Sequence, residues 1–135
     1  MEQRRFQIAL LIITIETGSR YAAGARIYET TSGSRELVKV ASILLQDDTK
    51  CSALKQAIKA LLYEVPQGSR ISISGLYLGT EEDRTLLRTD IACVIHEREL
   101  TVHMYNNPLK RDRNELYLLG KDAAERGESL FALIN

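Results

Sequence analysis

Residues 8–15 read IALLIITI and are followed directly by Glu16-Thr17-Gly18-Ser19, so an uninterrupted apolar run ends in turn-forming residues. A short run of this kind is typical of a strand that is buried on both faces of a sheet. It is far too short to span a bilayer as a helix, which needs about 20 residues, and no small-residue cleavage site of a signal peptide follows it. We therefore predict a central strand over residues 5–16 and no association with a membrane.

Two further strands are predicted immediately afterwards. Ala25 to Thr30 (ARIYET) alternates in polarity, and the stretch before it, Tyr21-Ala22-Ala23-Gly24, is small and turn-like. Thr31-Ser32-Gly33-Ser34 is a turn signal, and residues 35–45 (RELVKVASILL) follow it as a third strand. The short connections predict that these three strands form an antiparallel meander.

A helix and a fourth strand make the next unit. Asp47-Asp48-Thr49 offers N-capping oxygens for the helix. Apolar residues then recur at the i, i+3, i+4, i+7, i+8 spacing of an amphipathic helix, namely at Leu54, Ala57, Ile58, Leu61 and Leu62. Pro66-Gln67-Gly68 ends the helix, and residues 70–78 (RISISGLYL) form the strand. Because this strand is reached through a helical crossover, we expect it to lie parallel to the first strand.

The remaining residues predict two more helices and one more strand. Thr80-Glu81-Glu82-Asp83 is a Thr-x-x-Asp capping pattern that opens a second helix. Its apolar residues at helical spacing are Leu86, Leu87, Ile91, Val94 and Ile95, with a strand over residues 91–95 as the alternative. Residues 100–105 (LTVHMY) predict a fifth strand, and residues 106–113 (NNPLKRDR) a basic loop. A last helix is expected from about residue 115 to 134, interrupted near Gly120 and Gly127.

The composition is that of one globular domain over residues 1–135, since 44% of the residues are hydrophobic and 27% are charged. Lys+Arg and Asp+Glu both number 18, which argues against a strongly electrostatic nucleic-acid binder but permits a local basic patch. Cys51 and Cys93 have no metal-binding spacing, so we expect two buried free thiols in a cytoplasmic protein. His96 and His103 are expected to have surface or packing roles.

Four local motifs, together with the order strand-strand-strand-helix-strand-helix-strand-helix, resemble the ribonuclease H-like family. Residues 15–19 (IETGS) resemble its first strand, a hydrophobic run ending in Asp-Gly-Ser, and residues 22–28 (AAGARIY) resemble the small-residue start of its second strand. Residues 53–62 (ALKQAIKALL) resemble its first helix, and residues 70–75 its fourth strand, which normally ends in Asp-Ser. The resemblance implies an α/β fold with a five-stranded mixed sheet, order 3-2-1-4-5, and helices packed on its faces.

Active members of this family hold two divalent metal ions with four carboxylates, for which hard oxygen ligands are required. The positions that match those carboxylates are Thr17, then Ser52 or Ala53, then Ser74 or Gly75, and finally Asp122 or a residue near Asn114-Glu115. Most of these residues are not acidic, and without that charge a metal pair is not held. The chain therefore resembles the degenerate connection or tether domains of reverse transcriptases, with no catalytic residues and no cofactor.

Two classes of function follow from this resemblance. The first is a non-catalytic module that acts by protein–protein contact, including homodimerisation, or by non-specific binding of RNA or an RNA/DNA hybrid. Its expected phosphate contacts are Lys50, Lys55, Lys59, Lys110, Arg111 and Arg113. The alternative is a nuclease dependent on Mg²⁺ or Mn²⁺ with rearranged carboxylates, for which the candidates are Glu16, Asp48, Glu82 and Asp122. In the non-catalytic interpretation, Asp48 caps a helix, Glu82 lies favourably at a helix N-terminus and Asp122 is solvated.

Overall fold

Six strands and three helices occur in the part of the chain that this computed structural model describes, namely residues 3–15, 21–46, 49–75, 81–105 and 112–134. In chain order they are β1 (Arg5–Thr14), β2 (Tyr21–Thr31), β3 (Ser34–Leu45), α1 (Lys50–Leu62), β4 (Arg70–Ser74), α2 (Glu81–Glu97), β5 (Thr101–Tyr105), α3 (Arg113–Arg126) and β6 (Leu130–Leu133). No helix among these residues is both long and apolar enough to cross a membrane.

The strands form one mixed sheet of order β5-β4-β1-β2-β3-β6. β1, β2 and β3 are an antiparallel meander, whereas β4 lies parallel to β1, and β5 lies parallel to β4. The predicted order 3-2-1-4-5 is therefore confirmed, with a sixth strand added beside β3. The helix expected to reach residue 134 instead ends at Gly127, whose left-handed φ of 77° stops it. The apolar residues that follow pair with β3 as the antiparallel strand β6.

The small residues 21–24 belong to β2 and are not a turn, which corrects the sequence-based expectation. They pair with residues 11–14 at the end of β1. Their small size has a packing cause, because α3 crosses β2 at Gly24. Gly120 likewise does not interrupt α3: a β-carbon there would lie 3.1 Å from Cδ1 of Ile13, so the glycine lets the helix approach β1 closely.

The main core lies between one face of the sheet and the helices α1 and α2. Alternate residues of β1 and β4 point into it, including Phe6, Ile8, Leu10, Ile71 and Ile73. All five apolar positions predicted for α1 are buried, which confirms its amphipathic pattern. In α2, which forms a helix throughout, Leu87, Ile91 and Val94 are buried, but Leu86 is 52% exposed and lies outside the core.

α3 covers only part of the opposite face of the sheet. It packs against β1, β2 and β3, with Leu116 and Ala123 fully buried. On the same face, β4 and β5 carry Ser72 and Ser74, which are half-buried, and His103 and Tyr105, which are exposed. The two faces of the sheet therefore differ, and the partly covered face offers polar side chains to solvent.

The cysteines are placed differently from the expectation of two buried thiols. Both are free, but Cys51 is half-buried in the first turn of α1 and Cys93 is exposed on α2. Cys93 occupies the side of α2 that faces away from the buried positions Ile91 and Val94, which explains its exposure. His96 is exposed in the last turn of α2.

Candidate functional site

A cavity of about 560 Å³ opens at the carboxyl end of β1, between the first turns of α1 and α3. We call it the β1 cleft. It is lined by Leu11, Ile12, Ile13, Thr14, Tyr21, Lys50, Arg113, Asn114 and Tyr117. β1 supplies its apolar floor, and the two helix starts supply its polar rim. Residues from both ends of the chain meet here because α3 returns across the sheet to the end of β1.

The rim of the β1 cleft is positively charged. Lys50 and Arg113 are both exposed, and none of the described lining residues carries a carboxylate. Tyr117 is 49% exposed, so its ring is accessible, and Asn114 adds an uncharged amide. The side chains at this site can attract an anion and stack against a planar group, but the lining described offers no negatively charged ligand for a cation.

Both helix N-termini reinforce that charge. The hydroxyl of Thr49 accepts a hydrogen bond from the backbone N–H of Ser52 at 3.1 Å, which caps α1, and no acidic residue follows in its first turn. Asp112 precedes α3 but its side chain makes no capping hydrogen bond. A helix N-terminus carries about half a positive charge. The N-termini of α1 and α3 both lie at the cleft that Lys50 and Arg113 line, and Glu115 in the first turn of α3 offsets part of the positive charge there.

The carboxylate of Asp112 is occupied elsewhere. Its Oδ1 accepts hydrogen bonds from the hydroxyl of Tyr28 at 2.7 Å and from Nη1 of Arg26 at 2.9 Å. Burial and then the hydrogen bond to Asp112 raise the pKa of Tyr28 above its usual value. Asp112 is only 8% exposed. The network therefore fixes the start of α3 over β2 and places Arg113 and Asn114 at the cleft.

Sequence reasoning missed this network, since Asp112 was assigned to a basic loop. One signal was available: Arg26 and Tyr28 alternate on one face of β2, where the neighbouring residues Ala22 and Gly24 are small. A cation and a phenol in that position need a polar partner when a helix covers them. The partner itself lies 84 residues away from Tyr28 in the chain, and no local pattern identifies it.

The positions that correspond to the family's carboxylates lie near this end of the sheet. Ser52 is half-buried and Ala53 fully buried in the first turn of α1, and Ser74 is half-buried at the end of β4. Asn114 lines the β1 cleft itself. Thr17 lies outside the described residues. The described residues Ser52, Ala53, Ser74 and Asn114 thus bring hydroxyl, methyl and amide groups to this end of the sheet, while the carboxylates of Glu115 and Asp122 are exposed on α3.

Of the four carboxylates in the alternative set, the two that the structure describes do not lie together. Glu82 is exposed in the first turn of α2, on the core side of the sheet, whereas Asp122 belongs to α3 on the other side. Asp122 is exposed and accepts a hydrogen bond from Arg126 one turn later. Glu16 and Asp48 lie outside the described residues. Within the described ranges, no group of three or more His, Cys, Asp or Glu side chains could hold a metal ion.

The six basic residues singled out in the sequence do not form one surface. Lys50 and Arg113 meet at the β1 cleft, while Lys110 and Arg111 lie outside the described residues. Lys55 forms an ion pair with Asp90 at 3.5 Å. Lys55 and Lys59 are four residues apart and so share one side of α1. At about 3.6 residues a turn, that side is rotated about the helix axis by about 140° or more from Lys50. Of the six residues, Lys50 and Arg113 thus line the same cavity.

The comparisons with known proteins concern the fold. No protein-family profile and no curated protein matches this sequence. Among solved structures, ribonuclease H1 of the halophilic archaeon Halobacterium salinarum superposes with a TM-score of 0.55 at 14% identity, covering 90% of this chain and 98% of that one. LC11-RNase H1, solved in complex with an RNA/DNA hybrid, gives 0.54 at 15% identity with the same coverages of 90% and 98%.

A third structure extends the match to nearly the whole chain. LC9-RNase H1, described as a type 1 enzyme with the type 2 active-site motif, superposes with a TM-score of 0.56 at 10% identity. The alignment covers 98% of this chain and 79% of that protein. Identities this low establish a shared fold and leave activity open. Together with the sheet order, they show that this chain has a ribonuclease H-like fold.

Proposed function

We propose that this chain is a non-catalytic ribonuclease H-like module that binds the backbone of RNA or of an RNA/DNA hybrid at the β1 cleft. The observation that supports the proposal is the meeting of Lys50 and Arg113 at one cavity whose described lining contains no carboxylate. A phosphate placed there would contact two cations and lie near two helix N-termini. Such contacts hold the backbone without reading sequence.

The expected affinity is modest. Two phosphate contacts predict that log Kobs falls with log[salt] with a slope of about −1.8 for a duplex and about −1.4 for a single strand. The formal net charge of the chain is zero, so long-range attraction adds little. On single-stranded RNA, Tyr117 can stack on an unpaired base at the rim, a contact worth about 1–3 kcal/mol that tolerates any base. We therefore expect weak, salt-sensitive and sequence-independent binding.

Fluorescence anisotropy with a labelled RNA/DNA hybrid, measured across a salt series, tests the proposal. The double variant Lys50→Glu/Arg113→Glu should lose at least tenfold in affinity and show a shallower salt slope. Arg84→Glu/Arg88→Glu is the matched control, because it makes the same charge change on exposed positions of α2. Equal losses in the two variants would mean that net charge alone governs binding and would overturn the assignment to the cleft.

The nuclease alternative is decided by a titration with Mg²⁺ or Mn²⁺ in a hybrid-cleavage assay. The proposal expects no cleavage and no metal-induced shift in melting temperature. Cleavage that is abolished by Asp122→Asn, or by Glu16→Gln or Asp48→Asn, would establish a metal-dependent nuclease with rearranged carboxylates and would refute the non-catalytic proposal.

Self-association through β6 is a second candidate function. β6 is at the edge of the sheet, and Leu130, Leu133 and Ile134 are 50%, 72% and 44% exposed. An apolar edge strand that lacks charge or proline can pair with another strand, and antiparallel pairing of two β6 strands is compatible with two-fold symmetry. Light scattering after size exclusion should show a dimer that Leu133→Lys converts to a monomer. A wild-type chain that stays monomeric at all concentrations would exclude it.

A further inference from the structure

The uncovered part of the sheet has a second cavity, of about 410 Å³. It lies on the face that α3 only partly covers, toward the start of β1. We call the following six of its lining residues the open sheet face: Arg5, Gln7, Arg70, Ser72, His103 and Tyr105. Parallel strands are normally apolar on both faces because helices cover both. Here β4 (RISIS) and β5 (TVHMY) alternate, with Ile, Val and Met only on the core-facing side.

The strand register places these residues in rows across the sheet. Arg5 is directly opposite Arg70, while Gln7, Ser72 and His103 form the next row. Neighbouring strands are about 4.8 Å apart, so the two arginine side chains start as close neighbours. Like charges directly opposite each other are destabilising. Both residues are exposed, so solvent weakens that repulsion, and the pair concentrates positive charge at one place on the sheet.

Neither the Arg5 nor the Arg70 side chain makes an ion pair or hydrogen bond with a described residue. The described lining of this cavity also contains no carboxylate. By contrast, the adjacent Arg4 makes a bidentate pair with Glu29. Arg5 and Arg70 thus present, on one surface, two guanidinium groups that have no partner among the described residues, which suits a ligand carrying phosphates.

An aromatic ring lines the same cavity as the two arginines. Tyr105 is 46% exposed and is the last residue of β5, next to His103 on the same face. Exposed rings on a sheet, combined with cations that contact the backbone, are the means by which single strands are held, because an unpaired base can stack on them. Bases in a duplex are already stacked inside it. The combination favours a single strand over a duplex.

We propose that the open sheet face is a second nucleic-acid surface, specific for single-stranded RNA or DNA, in which Arg5 and Arg70 contact phosphates and Tyr105 stacks on a base. The ligand class rests on the proposed function, but the residues differ from those of the β1 cleft. Gln7 and Ser72, which lie between the arginines and Tyr105 on this face, supply hydrogen bonds to the strand. From Gln7 to Thr14 the chain spans about 23 Å at about 3.3 Å per residue, so one strand must be long to occupy both sites.

The test uses a labelled oligo(U) series of about 4 to 16 nucleotides, the range of site sizes seen for single-strand binding folds, beside a blunt RNA/DNA hybrid. Arg5→Gln/Arg70→Gln should weaken binding of the single strand at least tenfold and flatten its salt dependence, while hybrid binding changes by less than about twofold. Tyr105→Leu should weaken single-strand binding about fivefold or more without changing the salt slope, because stacking releases no counterions. Arg84→Gln/Arg88→Gln on α2 is the charge-matched control.

The outcomes separate this inference from the proposed function. If the cleft variant Lys50→Glu/Arg113→Glu loses hybrid binding while the Arg5/Arg70 and Tyr105 variants bind single strands like wild type, the inference is overturned and the proposed function stands. If the reverse pattern is found, the sheet face binds and the cleft proposal fails. A folded wild-type chain that binds neither probe refutes both. Circular dichroism on each variant checks that its fold is retained.

Discussion

Gly24 on β2 lies directly beneath the backbone of Leu116 on α3: a β-carbon on Gly24 would lie 1.9 Å from the carbonyl oxygen of Leu116. No side chain can rotate to relieve that contact, since the obstructing atoms are backbone. The distance between α3 and the sheet is therefore set by a residue without a side chain. The same closeness holds Asp112 near Tyr28 and so positions the rim of the β1 cleft.

Gly24→Ala should lower the free energy of unfolding by about 3 kcal/mol or more, the upper end of the cost of overpacking. The new methyl group must push α3 away from β2, and the buried contacts of Leu116 are lost with it. Urea denaturation of wild type and variant measures the change.

Gly120→Ala is the matched control for that substitution. There the nearest atom is Cδ1 of Ile13 at 3.1 Å, in a side chain that can move. Alanine also favours the helix by about 1 kcal/mol over glycine. The net change should remain within about 1 kcal/mol, and a loss equal to that of Gly24→Ala would contradict the packing argument.

Tyr28→Phe should reduce stability by about 1.5–3 kcal/mol, the range for a hydrogen bond to a charged group. The substitution removes the donor 2.7 Å from Oδ1 of Asp112 while keeping the ring. Thermal or urea unfolding measures the loss. Tyr63→Phe is the control, since Tyr63 is exposed and its hydroxyl donates to Glu97 at 3.2 Å; its effect should be distinctly smaller.

The pKa of Tyr28 also predicts an alkaline dependence. Burial, then the hydrogen bond to Asp112, raises that pKa in the folded state. The stabilising contribution of the protonated Tyr28 hydroxyl is therefore complete below the unfolded pKa of about 10. It is lost as the pH rises through the higher pKa of the folded state. The difference in unfolding free energy between wild type and Tyr28→Phe should shrink above about pH 10. A difference that widens with pH would show that the ionised phenol is the favoured form.

The ion pair of Arg4 and Glu29 should make the stability of the fold fall at acid pH. The hydrogen bond from Arg4 lowers the pKa of Glu29, and the two side chains meet at 2.8 and 3.0 Å. The pair's contribution is present above the unfolded pKa of about 4.3 and is lost as the pH falls through the lower folded value. Because the Arg4 side chain is 56% exposed, Glu29→Gln should cost no more than about 1 kcal/mol at neutral pH. Unfolding curves of wild type and Glu29→Gln should differ at neutral pH and converge near pH 3.

Hydrophobic periodicity correctly predicted the helices and strands whose structure is decided by residues close to one another in the sequence. The α1 stripe from Leu54 to Leu62 is buried as predicted, and the meander and the parallel crossover to β4 are confirmed. Prediction was wrong where distant residues decide the outcome. Residues 21–24 are a strand because α3 and β1 pack against them, and Leu130–Leu133 is a strand because the edge of β3 is available to pair with it.

The candidate sites show the same division. The sequence predicted that Lys50 and Arg113 contact phosphates, but it grouped them with Lys55 and Lys59. The turn of α1 places Lys55 and Lys59 on a different side of the helix from Lys50. It gave no indication of Asp112, whose partners Arg26 and Tyr28 lie 86 and 84 residues away. The open sheet face was also not predicted, since it depends on which strands α3 leaves uncovered.

By itself, the sequence predicted most of the strands and helices, the order of five strands of the sheet through its family resemblance, and residues without a carboxyl group at most of the positions that match the family's metal ligands. Those properties follow from residue identity and from repeats of two or 3.6 residues, which act locally. Only the tertiary structure decided that Lys50 and Arg113 line one cavity, that Arg5 lies opposite Arg70, and that Tyr28 donates a hydrogen bond to Asp112. These contacts depend on strand register and on the path of α3, because side chains far apart in the chain become neighbours only when the sheet is assembled.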